Sequence, residues 1–240
     1  MRFVPVKTAE QQAALMLLGI RERLIARRIQ LSNMIRGHAA EFGLVAAKGT
    51  DKLPALFAAV AGDASLPDLA RDLFKLLERE YEQSQVELKV VEAKLKAWHR
   101  ADEMSRRLTQ VPGIGPVTAA ALVMKAPDPH AFRSGRLFAA WLGLTPKDHS
   151  TGGKLRLGKI TRAGDEILRS LLVVGATSVV KVAKGPERRG PRWLIELLKR
   201  KSPKLAAVTL ANKMARIAWK LMTTGEKYDS TRLNAAPQAA

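Results

Sequence analysis

Apolar residues recur at helical spacing along most of the chain. From Thr8 to Phe42, a stretch without proline, Leu15, Leu18, Glu22, Ile25 and Ile29 mark a mostly apolar stripe. Arg21, Arg23, Arg27 and Arg28 fall largely on other faces. Thr8 followed by Gln11 fits a capping box, so the spacing predicts one long helix. Turn residues follow at Gly43, Gly49, Pro54, Gly62 and Pro67. Ala70, Phe74, Leu77, Tyr81, Ser84, Leu88, Val91, Leu95 and Trp98 then alternate steps of four and three, a heptad seam with Glu and Lys between its positions. That seam fits a coiled coil, within one chain or between chains, and equally a long helix packed on its own domain against the first.

Past Arg100 the pattern breaks into shorter helices separated by Gly/Pro loops. The fold expected is mainly α: a long helical, coiled-coil connector over 1–104, a compact helical domain over 105–228, and a frayed tail over 229–240. Alternation typical of strands is weak everywhere except for a short hairpin around Thr145 to Ile160.

Charge changes this picture. The net formal charge is +19, and residues 150–220 carry 17 Lys/Arg against 4 Asp/Glu. A basic excess concentrated in one segment attracts phosphate backbones by releasing counterions. With no cysteine in the chain, disulfides, zinc–thiolate sites and cysteine nucleophiles are excluded. The longest apolar run, Leu171 to Val182, is too short to span a bilayer and is interrupted by Gly175, Thr177, Ser178 and Lys181. A cytoplasmic protein with a polyanionic partner, no membrane and no small-molecule substrate is the expectation.

Three motifs carry candidate chemistry. In Leu108 to Leu122, Pro112 stops one helix, Gly113 and Gly115 make a tight turn around Ile114, and Val117 starts the next. This looks like a helix-hairpin-helix element, whose free N–H groups can hold a phosphate without reading bases. A plain helix–helix turn is the alternative. Next, Gly152, Gly153 and Gly158 build a loop carrying Lys147, Lys154, Arg156, Lys159 and Arg162 around Ser150 and Thr151. Cations there would stabilise charge in phosphoryl transfer, and a hydroxyl there could be a nucleophile. An ordinary phosphate-binding loop explains the same spacing. His149 adjoins Ser150, but sequence neighbours do not normally make a base–nucleophile pair. His38, His99 and His130 are isolated, and no cluster has metal-ligand spacing. Finally, Leu205 to Met222 reads as a helix with Lys213, Arg216 and Lys220 on one face, and Lys184 to Arg192 as a basic loop.

The strings RFVPVK, EQQA, RERL, VPGIGPVTAAAL, FRSGRLFAAWLGLTPKDHSTGGKLRLGKITRAGDEILRSLLVVGA and LANKMARIAWKLM, in this order, resemble bacterial transposases of the insertion sequence 110 family, 1111 subgroup. The resemblance implies a RuvC-like nuclease fold with four acidic residues and divalent metal (Mg2+), a helical connector, and a C-terminal domain supplying a serine nucleophile. It implies DNA strand breakage and rejoining guided by a structured RNA. Met1 falls where the family has an internal residue just after the nuclease domain, so the four acids and the metal are not expected here. Ser150 is the candidate nucleophile and Thr151 the second choice. Gly164, Asp165 and Arg169 stand where the family usually has Gly-Asn and Arg.

The roles expected are these. Lys154, Arg156, Lys159 and Arg162 hold phosphates. Gly113, Ile114 and Gly115 clamp a backbone. Arg169, Lys213, Arg216 and Lys220 add DNA contacts. DNA and a guide RNA are the partners, with a homo-oligomer formed through the seam. The alternatives are a catalytically incompetent nucleic-acid-binding module that acts only with a full-length transposase, and a structural coiled coil whose charge is incidental.

Overall fold

Thr8 starts the first helix by the exchange its spacing foretold. Its Oγ1 accepts from the Gln11 N–H at 3.2 Å, and its own N–H donates to Gln11 Oε1 at 3.0 Å. The computed structural model describes residues 6–187 and 189–229. Met1 to Pro5, Arg188 in the basic loop, and the expected tail from 230 on lie outside the described residues. The class is mainly α. Its internal contacts divide the described residues into 8–95 and a second unit of 6–7 with 96–229, the division falling inside α3.

The first unit is built from α1 (Ala9–Glu41), α2 (Leu53–Gly62) and most of α3 (Asp68–Ala101). Two ion pairs fix α1 and α3 as antiparallel: Arg21 with Glu92 at 3.0 Å and Arg27 with Glu80 at 2.8 Å. Leu31, Ile35 and Ala39 of α1, Leu53, Leu56, Phe57 and Val60 of α2, and Phe74 and Tyr81 of α3 share one core. Every heptad position from Ala70 to Trp98 is buried or half-buried, so the seam is used inside the chain. The α1 stripe differs from its expected composition. Ile29 is exposed, while the Arg21 side chain is turned inward, only 15% exposed. A guanidinium is tolerated there because Glu92 neutralises it on the facing helix.

The second unit has α9 (Pro203–Thr224) at its centre, against α4 (Glu103–Leu108), α6 (Gly135–Trp141), α7 (Glu166–Lys184) and α8 (Arg192–Arg200). The packing is close because the buried positions of α9 include Ala206, Ala207, Ala211, Ala215 and Ala218. α5 (Pro116–Lys125) lies on α4 and α7. Between α6 and α7 runs a two-stranded antiparallel ribbon, β1 (Pro146–Asp148) and β2 (Leu157–Ile160), where the sequence suggested a hairpin.

A candidate nucleic-acid interface

The ribbon closes through Thr151-Gly152-Gly153-Lys154. Thr151 and Lys154 exchange both backbone hydrogen bonds, and φ is +56° at Gly152 and +73° at Gly153. Two successive positive φ values are what a tight two-residue hairpin requires, which is why glycines stand there. Ser150 lies one residue before this turn and is exposed. Its N–H donates to Asp148 Oδ1 at 2.8 Å, and its Oγ accepts from the Arg156 N–H at 3.0 Å. The hydroxyl is thus held across the ribbon yet open to solvent. Hydrogen bonds from the Ser150 side chain and then its backbone keep the Asp148 carboxyl below its ordinary pKa. Asp148 was not singled out from sequence. The Asp-x-Ser spacing, which favours such a local turn, was the available signal.

The His149 ring packs over Gly158, where an added Cβ would stand 3.1 Å from the imidazole. Among the described residues no hydrogen bond joins the ring to Ser150, and the His149 backbone N–H donates to the Arg156 carbonyl at 2.9 Å. Lys147, Lys154, Arg156, Lys159 and Arg162 are all exposed, and none forms an ion pair among the described residues. Arg162 has φ +58°, the one positive φ outside glycine among the described residues.

The root of the ribbon is fixed firmly. A Cβ on Gly143 would overlap the Ala163 carbonyl oxygen, and one on Gly164 the Trp141 carbonyl oxygen, so residues 161–164 press backbone to backbone against the end of α6. Arg169 secures this contact: its Nη1 donates to the carbonyls of Leu142 and Ala163, each at 3.2 Å. Its guanidinium is therefore engaged by the fold rather than held out to solvent. Asp165 caps α7 by accepting from the Leu168 N–H at 2.9 Å and pairs with Lys125 at 2.6 Å.

The other expected contacts divide. In the turn between α4 and α5, Ile114 is buried and Gly113 (φ +92°) faces α7; a Cβ on Gly175 would overlap the Gly113 carbonyl oxygen. Gly115 is open, with nothing within 4 Å of its missing Cβ, and α5 starts there without a side-chain cap. On α9, Arg216 is half-buried and Lys220 exposed. Lys213 leaves the expected solvent face: it is 8% exposed and lies 4.9 Å from the centre of the Trp193 ring, because α8 folds against α9 there. Burial, and then Arg216, lower its pKa. In the basic loop, Arg189 pairs with Glu187 at 2.5 Å.

Among the described residues no three His, Cys, Asp or Glu side chains come together as a metal site. The acidic set that the resemblance assigns to divalent metal therefore does not fit these residues. No described helix is long and apolar enough to cross a membrane.

Residues 105–190 match the family model of the IS116/IS110/IS902 transposases. The y4pF/y4sB protein of Sinorhizobium fredii is 62% identical over 95% of this chain and 59% of its own length. A Pseudomonas aeruginosa protein, by name a family 20 transposase, is 43% identical over 95% of this chain and 68% of its own. The transposase for insertion sequence element IS1111A of Coxiella burnetii is 36% identical over 95% of this chain and 63% of its own. The chain thus spans about three fifths of the Sinorhizobium relative it matches.

Proposed function

The chain belongs to the IS116/IS110/IS902 family of transposases, and we propose that it acts in DNA transposition, with residues 96–229 gripping a DNA strand and supplying a serine nucleophile. The observation that carries this reading is the Ser150 hydroxyl, exposed near the tip of a ribbon whose lysines and arginines have no carboxylate partners among the described residues. A phosphodiester drawn to those cations comes within reach of Oγ. Attack forms the Oγ–P bond as the P–O bond to the leaving strand breaks; the hydroxyl proton passes to solvent, and the departing oxygen takes one up. Reversal by a strand end rejoins the DNA. Lys154, Arg156 and Lys159 neutralise the charge that builds on the phosphoryl oxygens. Thr151 is the second-choice nucleophile. The open start of α5 at Gly115 holds a further backbone phosphate.

In this reading the metal chemistry of the family comes from outside the described residues, and a structured RNA guides the strand choice. The 1111 subgroup is the one we assign. Assembly of several copies through the helical connector brings the serine and the metal together.

The test is covalent capture of end-labelled DNA, with a full-length family member supplied. Wild-type chain should give a protein–DNA adduct, Ser150→Ala should lose it while still binding DNA, and Thr151→Ala should keep it. An adduct that survives Ser150→Ala and disappears in Thr151→Ala moves the nucleophile to Thr151. No adduct with any form leaves the binding module as the function.

A further inference from the structure

α6 starts in direct contact with α9. At Gly135, its first residue, a Cβ would stand 3.1 Å from the Trp219 ring and 3.2 Å from the Arg216 backbone. With the backbones that close, the longer side chains part around the contact and leave an open groove of about 380 Å3. Ser134 and Arg136 line it from the start of α6, and Arg216, Trp219 and Lys220 from α9. The tryptophan is fixed, because its Nε1 donates to the Pro129 carbonyl at 2.9 Å. Lys213 also lines the groove, with its Nζ beside the Trp193 ring.

Among the described residues no carboxylate lines this groove, and Glu226 lies 3.9 Å from Lys220. Arg136, Arg216 and Lys220 in one concavity repel one another, and an anion seated among them relieves that repulsion. The burial that lowers the Lys213 pKa is reinforced by Arg216 beside it, as expected where like charges crowd. Ser134 uses its Oγ to cap α6, accepting from the Leu137 N–H at 3.3 Å, so its hydroxyl proton points elsewhere. The seven residues of α6 separate this groove from the root of the ribbon, a helix length of about 10 Å.

We propose that the groove between the start of α6 and α9 is a second phosphodiester-binding site, distinct from the ribbon, in which Arg136, Arg216 and Lys220 grip the backbone of a nucleic acid. This rests on reading the chain as a nucleic-acid binder but not on the chemistry of Ser150. DNA and RNA offer the same phosphodiester, so both are probes. Contacts from these cations to phosphate hold backbone and read no base.

The test is equilibrium binding of the whole chain to a duplex DNA and to a structured RNA over a range of salt. Three proteins are compared: wild type, Arg136→Gln/Lys220→Gln in the groove, and Lys154→Gln/Lys159→Gln on the ribbon. Each lost phosphate contact should reduce the log–log salt slope by about 0.9 on duplex DNA, so the groove variant should lose about 2. A loss on DNA, on RNA or on both supports the site and identifies its source. Unchanged slopes on both, with wild-type unfolding, overturn it. A ribbon variant without effect beside a groove variant with one would sink the ribbon reading and leave this one standing. Should the double variant unfold early, Arg136→Gln alone repeats the test for about half the slope change, because its side chain makes no hydrogen bond or ion pair among the described residues.

Discussion

Asp148 shows how one side chain sets the posture of another. Its carboxylate is stabilised by Ser150, so its folded pKa is depressed. A depressed carboxylate contributes stability above its ordinary pKa and loses it as pH falls through the lower folded value. Hydrogen exchange at the Ser150 amide should therefore be slow at neutral pH and speed up, beyond intrinsic chemistry, in the acid range below the ordinary carboxylate pKa. Asp148→Asn should remove that step. Gly175 makes a second case. Its missing Cβ lets the Gly113 carbonyl lie against α7, so Gly175→Ala must push the turn away. We expect a loss of about 1–3 kcal/mol in urea unfolding, the usual cost of overpacking. The first pairing left a local signal in the Asp-x-Ser spacing, whereas nothing in the sequence marked Gly175 as the partner of Gly113. A tight turn at Gly113 was legible, because proline and glycine act locally, but the helix it abuts lies some sixty residues on.

The elements were more legible than their partners. The capping box at Thr8, the seam from Ala70 to Trp98 and the hairpin near 145–160 all rest on spacing within a few residues, and each lies where the spacing put it. The pattern breaks past Arg100, where α3 gives way to α4. What spacing could not supply was the surface each stripe faces. The seam is buried in the chain's own core, and Arg21 sits inside the hairpin because Glu92 lies opposite. Phe74, 4% exposed in that core, should cost about 3–5 kcal/mol when cut to alanine, read by urea unfolding. At the start of α7, Asp165→Ala removes both a helix cap and the partner of a nearly buried lysine. A loss of about 2 kcal/mol is expected, with the ribbon root loosening as judged by faster exchange at the Arg162 amide.

For the molecule as a whole, composition already pointed to a polyanion, since residues 150–220 hold most of the +19 excess. Composition could not say which cations remain available. The fold takes Arg169 for its own carbonyls and buries Lys213, and it brings in Arg136, a cation that was not singled out from sequence. Counting the exposed cations of ribbon and groove, binding to duplex DNA should weaken with salt at a log–log slope of about −6. Ser150→Ala should leave that slope unaltered.

The ribbon has a practical consequence. Residues 147–159 are exposed at every position and carry four basic side chains, Lys147 and Lys159 on the two short strands and Lys154 and Arg156 between them. Such a segment is the natural first cut for trypsin, ahead of the packed helices on either side. Digestion followed by mass spectrometry would therefore serve as a footprint: the peptide that vanishes when a polynucleotide is added maps where it sits.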